Sequence, residues 1–336
     1  MSIPSNIYTQ RRKRKRRWRK RKPGFGRKLW NSVRPHLRRL KTAVDYFEAL
    51  LARLIVHGLQ RLDPDTSSNF AGAFARRCGP WLPPSGTGRA NLRAAFPEKS
   101  KAEIEAILAG TWENLGRVAG EFVHLDRLWD YDEAHPNAGR IETFHVDRFI
   151  GLFTDNKPAL IFSAHLANWE VAALAAMKYG LDSAVLFRIP SNRFIAGLIH
   201  ETRASLMSRL VPADPYAVLA MAGMLQRGAH IGMLVDQHRN PGTPVTFFGR
   251  PCLASDLIAR LARQYECPVH GTRVIRLPKN RFRIELSEAV ALPRDADGRI
   301  DIPGAMQTIT AIVEGWVREH PEQWLWLHRR WRPLPN

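Results

Sequence analysis

The chain has 336 residues, 45% of them apolar, which is enough for one large domain or two small ones with a sizeable core. Its formal net charge of +20 is unevenly placed: the first 44 residues hold 17 Lys and Arg and no acid, leaving 34 of the 51 basic residues against all 31 acidic ones. The body is therefore nearly neutral and the basicity is an arm. The three cysteines, Cys78, Cys252 and Cys267, form no CxxC pair, which excludes a zinc finger or a disulfide framework and fits a reducing, cytoplasmic compartment.

Residues 11–22 read RRKRKRRWRKRK. Such a density of like charge repels itself, so residues 1–28 are expected to be a disordered arm. An anionic membrane surface, nucleic acid or solvent would each suit it, and Trp18 favours a headgroup interface. No apolar core with a small-residue cleavage site follows, so the arm does not read as a secretory signal. Nor does the chain contain an uninterrupted apolar run of about 18 residues, so no ordinary transmembrane helix is expected. Thr42 to Leu62 comes nearest. Phe47, Leu50, Leu51, Leu54, Ile55 and Leu62 recur at helical spacing, with Asp45, Glu48 and Arg53 largely opposite. Residues 29–62 are thus expected to form an amphipathic helix, lying on a bilayer or packed on its own domain.

The polar stretch Asp63–Ser68 is expected to end that helix, with helical pattern resuming from Asn69 to Cys78. PWLPPSGTG then reads as a turn-rich loop. Ser100-Lys101-Ala102-Glu103 is a capping box ahead of an amphipathic run to about Trp129. From Gly139 short β-rich runs alternate with helical ones. Strands are expected at 158–163, 183–187, 231–235, 269–277 and 281–286. Helices are expected at 169–179, 194–210, 214–226, 254–265 and 304–319. This alternation predicts an α/β fold over 63–336: a mixed central sheet flanked by helices, behind a mostly helical N-terminal part. The last two strands, joined by Pro-Lys-Asn, read as an antiparallel hairpin.

Ligands of open α/β sheets gather beyond the carboxyl ends of the strands. Two polar clusters fall at such ends, Ser163-Ala164-His165 and Asp236-Gln237-His238. With His165 in a loop, Asn168 as N-cap and Glu170 in the first helical turn, the carboxylate can orient the imidazole. That dyad lacks a protein nucleophile, but a substrate hydroxyl supplies one. A zinc reading finds no HExxH and no third ligand nearby.

Several stretches in sequence order resemble the late acyltransferases of lipid A biosynthesis, the lauroyl/myristoyl transferase family. They are Arg89-Ala90-Asn91-Leu92 with Phe96-Pro97-Glu98; His165 and Glu170; Phe187-Arg188 with Asn192 and Arg203; Asp236-Gln237; Val245 to Gly249; and Pro321 to Trp331. The resemblance spans roughly residues 85 to 333. It implies acyl transfer from acyl carrier protein to a hydroxyl of a lipid A precursor, at the cytoplasmic face of the inner membrane, with no metal and no cofactor. It implies His165 as base and Glu170 as its partner. Arg188, Asn192, Arg203, Asp236, Gln237 and Phe248 fall at substrate-binding positions. Each has a plainer reading: a surface salt bridge for Arg188, a solvated cation for Arg203, supporting structure for Asp236 and Gln237, ordinary core for Phe248. The aromatic-basic tail, with Trp324, Trp326 and Trp331 among Arg329, Arg330 and Arg332, suits a headgroup interface or an edge strand. The charged 42–62 segment stands where the family carries an apolar anchor, which implies peripheral or monotopic attachment. A related acyltransferase acting on phosphatidylinositol mannosides and a nucleic-acid-binding protein working through the arm are the alternatives; for the acyltransferase reading no nucleic acid is expected.

Overall fold

The computed structural model describes residues 25–332 apart from 137, 156, 191 and 205–208. The basic run at 11–22 lies outside the described residues. The chain divides into two compact units, Met1–Glu48 and Ala49–Asn336. The described part of the first is the beginning of α1 (Phe25–Gln60), on which Leu40, Val44, Tyr46 and Phe47 are exposed. The second unit takes up the end of α1. There Ala49 and Leu59 are buried, and Leu50, Leu51, Leu54 and Ile55 face outward. Among the described residues no helix is long and apolar enough to cross a membrane.

The polar stretch after α1 starts a helix as well as ending one. Asp63 accepts hydrogen bonds from the N–H groups of Asp65 (3.1 Å) and Thr66 (3.0 Å), and Pro64 opens α2 (Pro64–Cys78). An Asp N-cap followed by proline is a start signal, because proline lacks only an N–H that the first turn leaves unpaired. The same correction applies to PWLPPSGTG. It takes up the end of a 3-10 turn, Gly79–Trp81, and then the first turns of α3 (Pro84–Ala95), again opened by proline. The Ser100/Glu103 capping box forms and starts α4 (Lys101–Phe122), after which comes the single turn α5 (Leu125–Leu128). The α2 and α4 backbones approach closely: a Cβ on Gly116 would sit 2.3 Å from the Ala71 carbonyl oxygen.

The body continues through β1 (Ile141–Phe144), α6 (Val146–Thr154), β2 (Leu160–Ser163), α7 (Glu170–Lys178), β3 (Ser183–Phe187), α8 (Arg193–Ala204), β4 (Arg209–Pro212), α9 (Ala217–Leu225) and β5 (His230–Leu234). It ends with β6 (His238–Phe247), β7 (Arg250–Ala254), α10 (Leu257–Tyr265), β8 (Val269–Leu277), β9 (Arg281–Ala289), α11 (Ile302–Glu319) and a 3-10 turn, Pro321–Gln323. A seven-stranded sheet runs in the order β1-β9-β8-β2-β5-β3-β4. The pairs β8–β2, β2–β5, β5–β3 and β3–β4 are parallel, whereas β8 and β9 form the antiparallel hairpin. The sheet is mixed, as the alternation predicted. The hairpin β6–β7, a separate two-stranded sheet, and the edge strands β1 and β4 were not legible in the periodicity. β4 falls where the helix from 194 was expected to run to 210.

The C-terminal tail is core, not a membrane-facing belt. Trp324 and Trp326 are fully buried and meet edge to face at 4.6 Å between ring centroids. Phe247, Phe248 and Phe96 complete the cluster.

His230, at the start of β5, is 4% exposed, and burial pushes its imidazole below the ordinary 6.5. His328 and His238 are lowered in the same way, first by burial. A folded-state pKa below the unfolded one means that the unfolded chain takes up protons that the folded chain refuses as pH falls through about 6.5. Stability should be fully present above that value and decline on acidification. Urea unfolding at about pH 7.5 and about pH 5.5 tests this; His230→Gln should flatten the difference, and an unchanged slope would remove His230 from the account.

Candidate active site

β2 and β5 are parallel neighbours, with Ser163 opposite Leu234, so both strands end on one rim. His165 lies two residues past one end and Asp236 two past the other. The turn after β2 is tight. Ala167 adopts a left-handed backbone (φ 47°), a conformation that disfavours an L residue and persists only where the surroundings enforce it. Here the enforcement comes from the C-terminal tail. Ala167 N–H donates to the Gln323 carbonyl (3.0 Å), and Leu325 N–H donates to that of His165 (3.1 Å). Asn114 of α4 donates from its amide to both the Ala167 and Gln323 carbonyls, each at 3.0 Å.

Asp236 grips His165 twice. Its Oδ2 accepts from the His165 backbone N–H (2.9 Å), and its Oδ1 lies 2.8 Å from Nδ1 of the ring. Trp324 Nε1–H donates to the same Oδ2 (2.7 Å). Asp236 is buried. Burial alone would raise its pKa, but the charge and hydrogen bonds of His165, with the charge of His328, outweigh it and hold the carboxyl well below the usual carboxylate range. An ionised carboxylate can only accept, so Nδ1 of the ring donates to it. Gln237 Nε2 lies 3.3 Å from the other ring nitrogen, Nε2, a long contact that an incoming hydroxyl can replace. The Trp169 ring sits edge-on to the imidazole, 5.1 Å between centroids.

This geometry differs from the expected His165/Glu170 pair. Glu170 is the first residue of α7, and Asn168 Oδ1 accepts from its N–H (3.1 Å), as an N-cap would. Its carboxylate faces α8. There it pairs with the Arg203 guanidinium, whose Nε donates to Oε2 at 3.2 Å, and accepts from Trp169 Nε1–H at 3.0 Å. The left-handed Ala167 sends the two side chains to different neighbours. Glu170 thus reaches the imidazole only through the indole that it holds.

The remaining expected residues separate. Gln237 joins the site. Arg188 lies one residue past β3, exposed, on the same rim. Arg203 is not a freely solvated cation, being paired with Glu170 and placed over the Phe122 ring at 5.8 Å. Asn192 Oδ1 accepts from the N–H groups of Phe194 (3.0 Å) and Ile195 (3.3 Å), which caps α8. Phe248 belongs to the core: it is buried 5.1 Å from Phe96, in the left-handed turn joining β6 to β7.

Beneath the loop lies a group that the sequence reading missed. Glu121 of α4 is fully buried. It pairs with Arg276 of β8, accepts from Ser68 Oγ–H at 2.6 Å, and accepts from Asn168 Nδ2–H at 2.8 Å. Asn114, Val118 and Glu121 share a helical face otherwise made of core residues, and a carboxylate there was the available signal. Both thiols near the body's core, Cys252 and Cys267, are raised by burial, the latter to about 11, which makes them poor nucleophiles.

The rim therefore presents an imidazole oriented by a buried carboxylate. Such a group draws a proton from a substrate hydroxyl or amine. No curated protein matches the chain. The family model described as bacterial lipid A biosynthesis acyltransferase matches residues 32–333. With nearly all of its length inside that match, the chain belongs to the bacterial lipid A biosynthesis acyltransferase family.

Proposed function

We propose that this acyltransferase moves a fatty acyl chain from acyl carrier protein to a hydroxyl of a lipid A precursor, with His165 as general base. His165 Nε2 takes the hydroxyl proton as the oxygen attacks the thioester carbonyl. The tetrahedral intermediate expels the carrier thiolate, which takes the proton back from the imidazolium, leaving an ester and a free thiol. Asp236 fixes the tautomer and stabilises the imidazolium. Arg188, on the same rim, offers a cation for a substrate phosphate or for the developing oxyanion. Glu170 and Arg203 hold Trp169 and α8 in place. The observation that carries this reading is the 2.8 Å contact between His165 Nδ1 and the buried Asp236 carboxylate. Attachment at the cytoplasmic face of the inner membrane fits the exposed apolar residues of α1 and the basic arm.

The test is acyl transfer by purified protein from acyl carrier protein to a tetra-acylated lipid A precursor, with a phosphatidylinositol mannoside as the competing acceptor. Ester formation on the first supports the proposal. Transfer to the mannoside alone reassigns the acceptor, and no transfer to either contradicts the reaction.

A further inference from the structure

α9 reads Ala-Val-Leu-Ala-Met-Ala-Gly-Met-Leu, without one charged or hydrogen-bonding side chain. Its inner face, Ala217, Met221 and Leu225, is buried. Its outer face should be polar if water were its only neighbour. Instead Val218 is 52% exposed and Leu219 74%, with Tyr216 at 75% just before them. Ile189, two residues past β3, is 53% exposed.

The topology places these residues on one edge. β2, β5, β3 and β4 are parallel, so the segments after β3 and β4 open on the rim that carries His165 and Asp236. Three strand spacings separate β2 from β4, roughly 14 Å. Arg188, beside Ile189 in the chain, is exposed, and so is Arg239, three residues past Asp236. The rim's Asp214 is occupied as a cap, its Oδ1 accepting from the Tyr216 N–H at 2.8 Å.

We infer that this lip, Ile189 with Tyr216, Val218 and Leu219, is a second membrane-docking surface that seats the sheet rim on a phospholipid bilayer. Aliphatic side chains enter the acyl region, Tyr216 sits at its border, and Arg188 and Arg239 meet lipid phosphates. A soluble acidic partner would be matched by charge, whereas this surface is mainly apolar, with the Arg188 cation next to Ile189. The inference rests on the proposed reaction in one respect: a lipid acceptor could then pass from the bilayer to His165 without crossing water.

The experiment uses the full chain with Cys78→Ser and Leu219→Cys carrying a nitroxide, mixed with vesicles of phosphatidylethanolamine and phosphatidylglycerol. Cys252 and Cys267 are buried. Vesicles should raise the label's collision rate with oxygen and lower that with a water-soluble nickel complex. A label at Lys178, exposed at the far end of α7, should change in neither. Flotation of the protein with an unchanged label at 219 would overturn the inference, as would failure to float. So would spectral broadening that grows with protein concentration without lipid, which would assign the lip to a second copy of the chain. Leu219→Glu should raise KM for a vesicle-borne acceptor roughly tenfold while leaving kcat intact. The label reads depth without turnover. A chain that docks through 219 but transfers nothing would overturn the proposed reaction and leave the lip standing.

Discussion

His165→Ala is expected to lower kcat by roughly 10²–10⁴-fold while the protein remains folded. The ring keeps contact with solvent, its side chain being 17% exposed, and it binds Asp236 through Nδ1. Its removal leaves the hydroxyl without an acceptor for its proton, while donor and acceptor still bind. The loss should therefore appear in kcat more than in KM. The removal also leaves Asp236 buried with the Trp324 indole and the residue-165 backbone N–H as donors, so some destabilisation is expected. Circular dichroism and thermal unfolding beside the transfer assay separate the two effects. A folded His165→Ala protein with full activity would remove the base from the mechanism.

Glu121→Ala should cost about 3–5 kcal/mol of stability, the range for breaking a buried ion pair by deleting one partner. Arg276 would keep its charge, in a side chain only 11% exposed, with Asn114 Oδ1 (2.9 Å) as a neutral acceptor. Asn168 and Ser68 would each lose an acceptor. The thermal midpoint should fall by on the order of 10 °C. Glu121→Leu combined with Arg276→Met should recover much of the loss, because that pair leaves no unpartnered charge. A single variant within 1 kcal/mol or so of the parent would show that the pair is not what holds α4 to β8.

The same pair explains why activity and stability meet in one loop. Glu121 donates no chemistry, but it holds Asn168, whose Oδ1 accepts from the N–H of Glu170 at the start of α7. Asn114, one α4 partner of Arg276, holds the carbonyl of the left-handed Ala167. The conformation that presents His165 is thus imposed by α4, β8 and the C-terminal tail together.

The sequence showed the β2 and β5 strand ends with their polar clusters, because short apolar runs ending in His and Asp-Gln are local patterns. It did not show which carboxylate reaches the imidazole. That depends on β2 and β5 being neighbours and on a left-handed alanine, and neither leaves a trace in spacing. The tail misled for a related reason. Tryptophans among arginines describe a headgroup belt and a buried aromatic cluster equally well. Only the partners Phe247, Phe248 and Phe96, far away in sequence, decide between them. Asp63–Ser68 reads as a polar break and PWLPPSGTG as a turn-rich loop, and each contains proline. At both places it begins a helix.

The central claim is that Asp236, not Glu170, sets the imidazole of His165. Long-range ¹⁵N–¹H spectra of histidine-labelled protein test it directly. The wild type should show the proton of His165 on Nδ1. Asp236→Asn should disturb that state and Glu170→Gln should preserve it. A proton that stays on Nδ1 in Asp236→Asn but moves in Glu170→Gln would contradict the account.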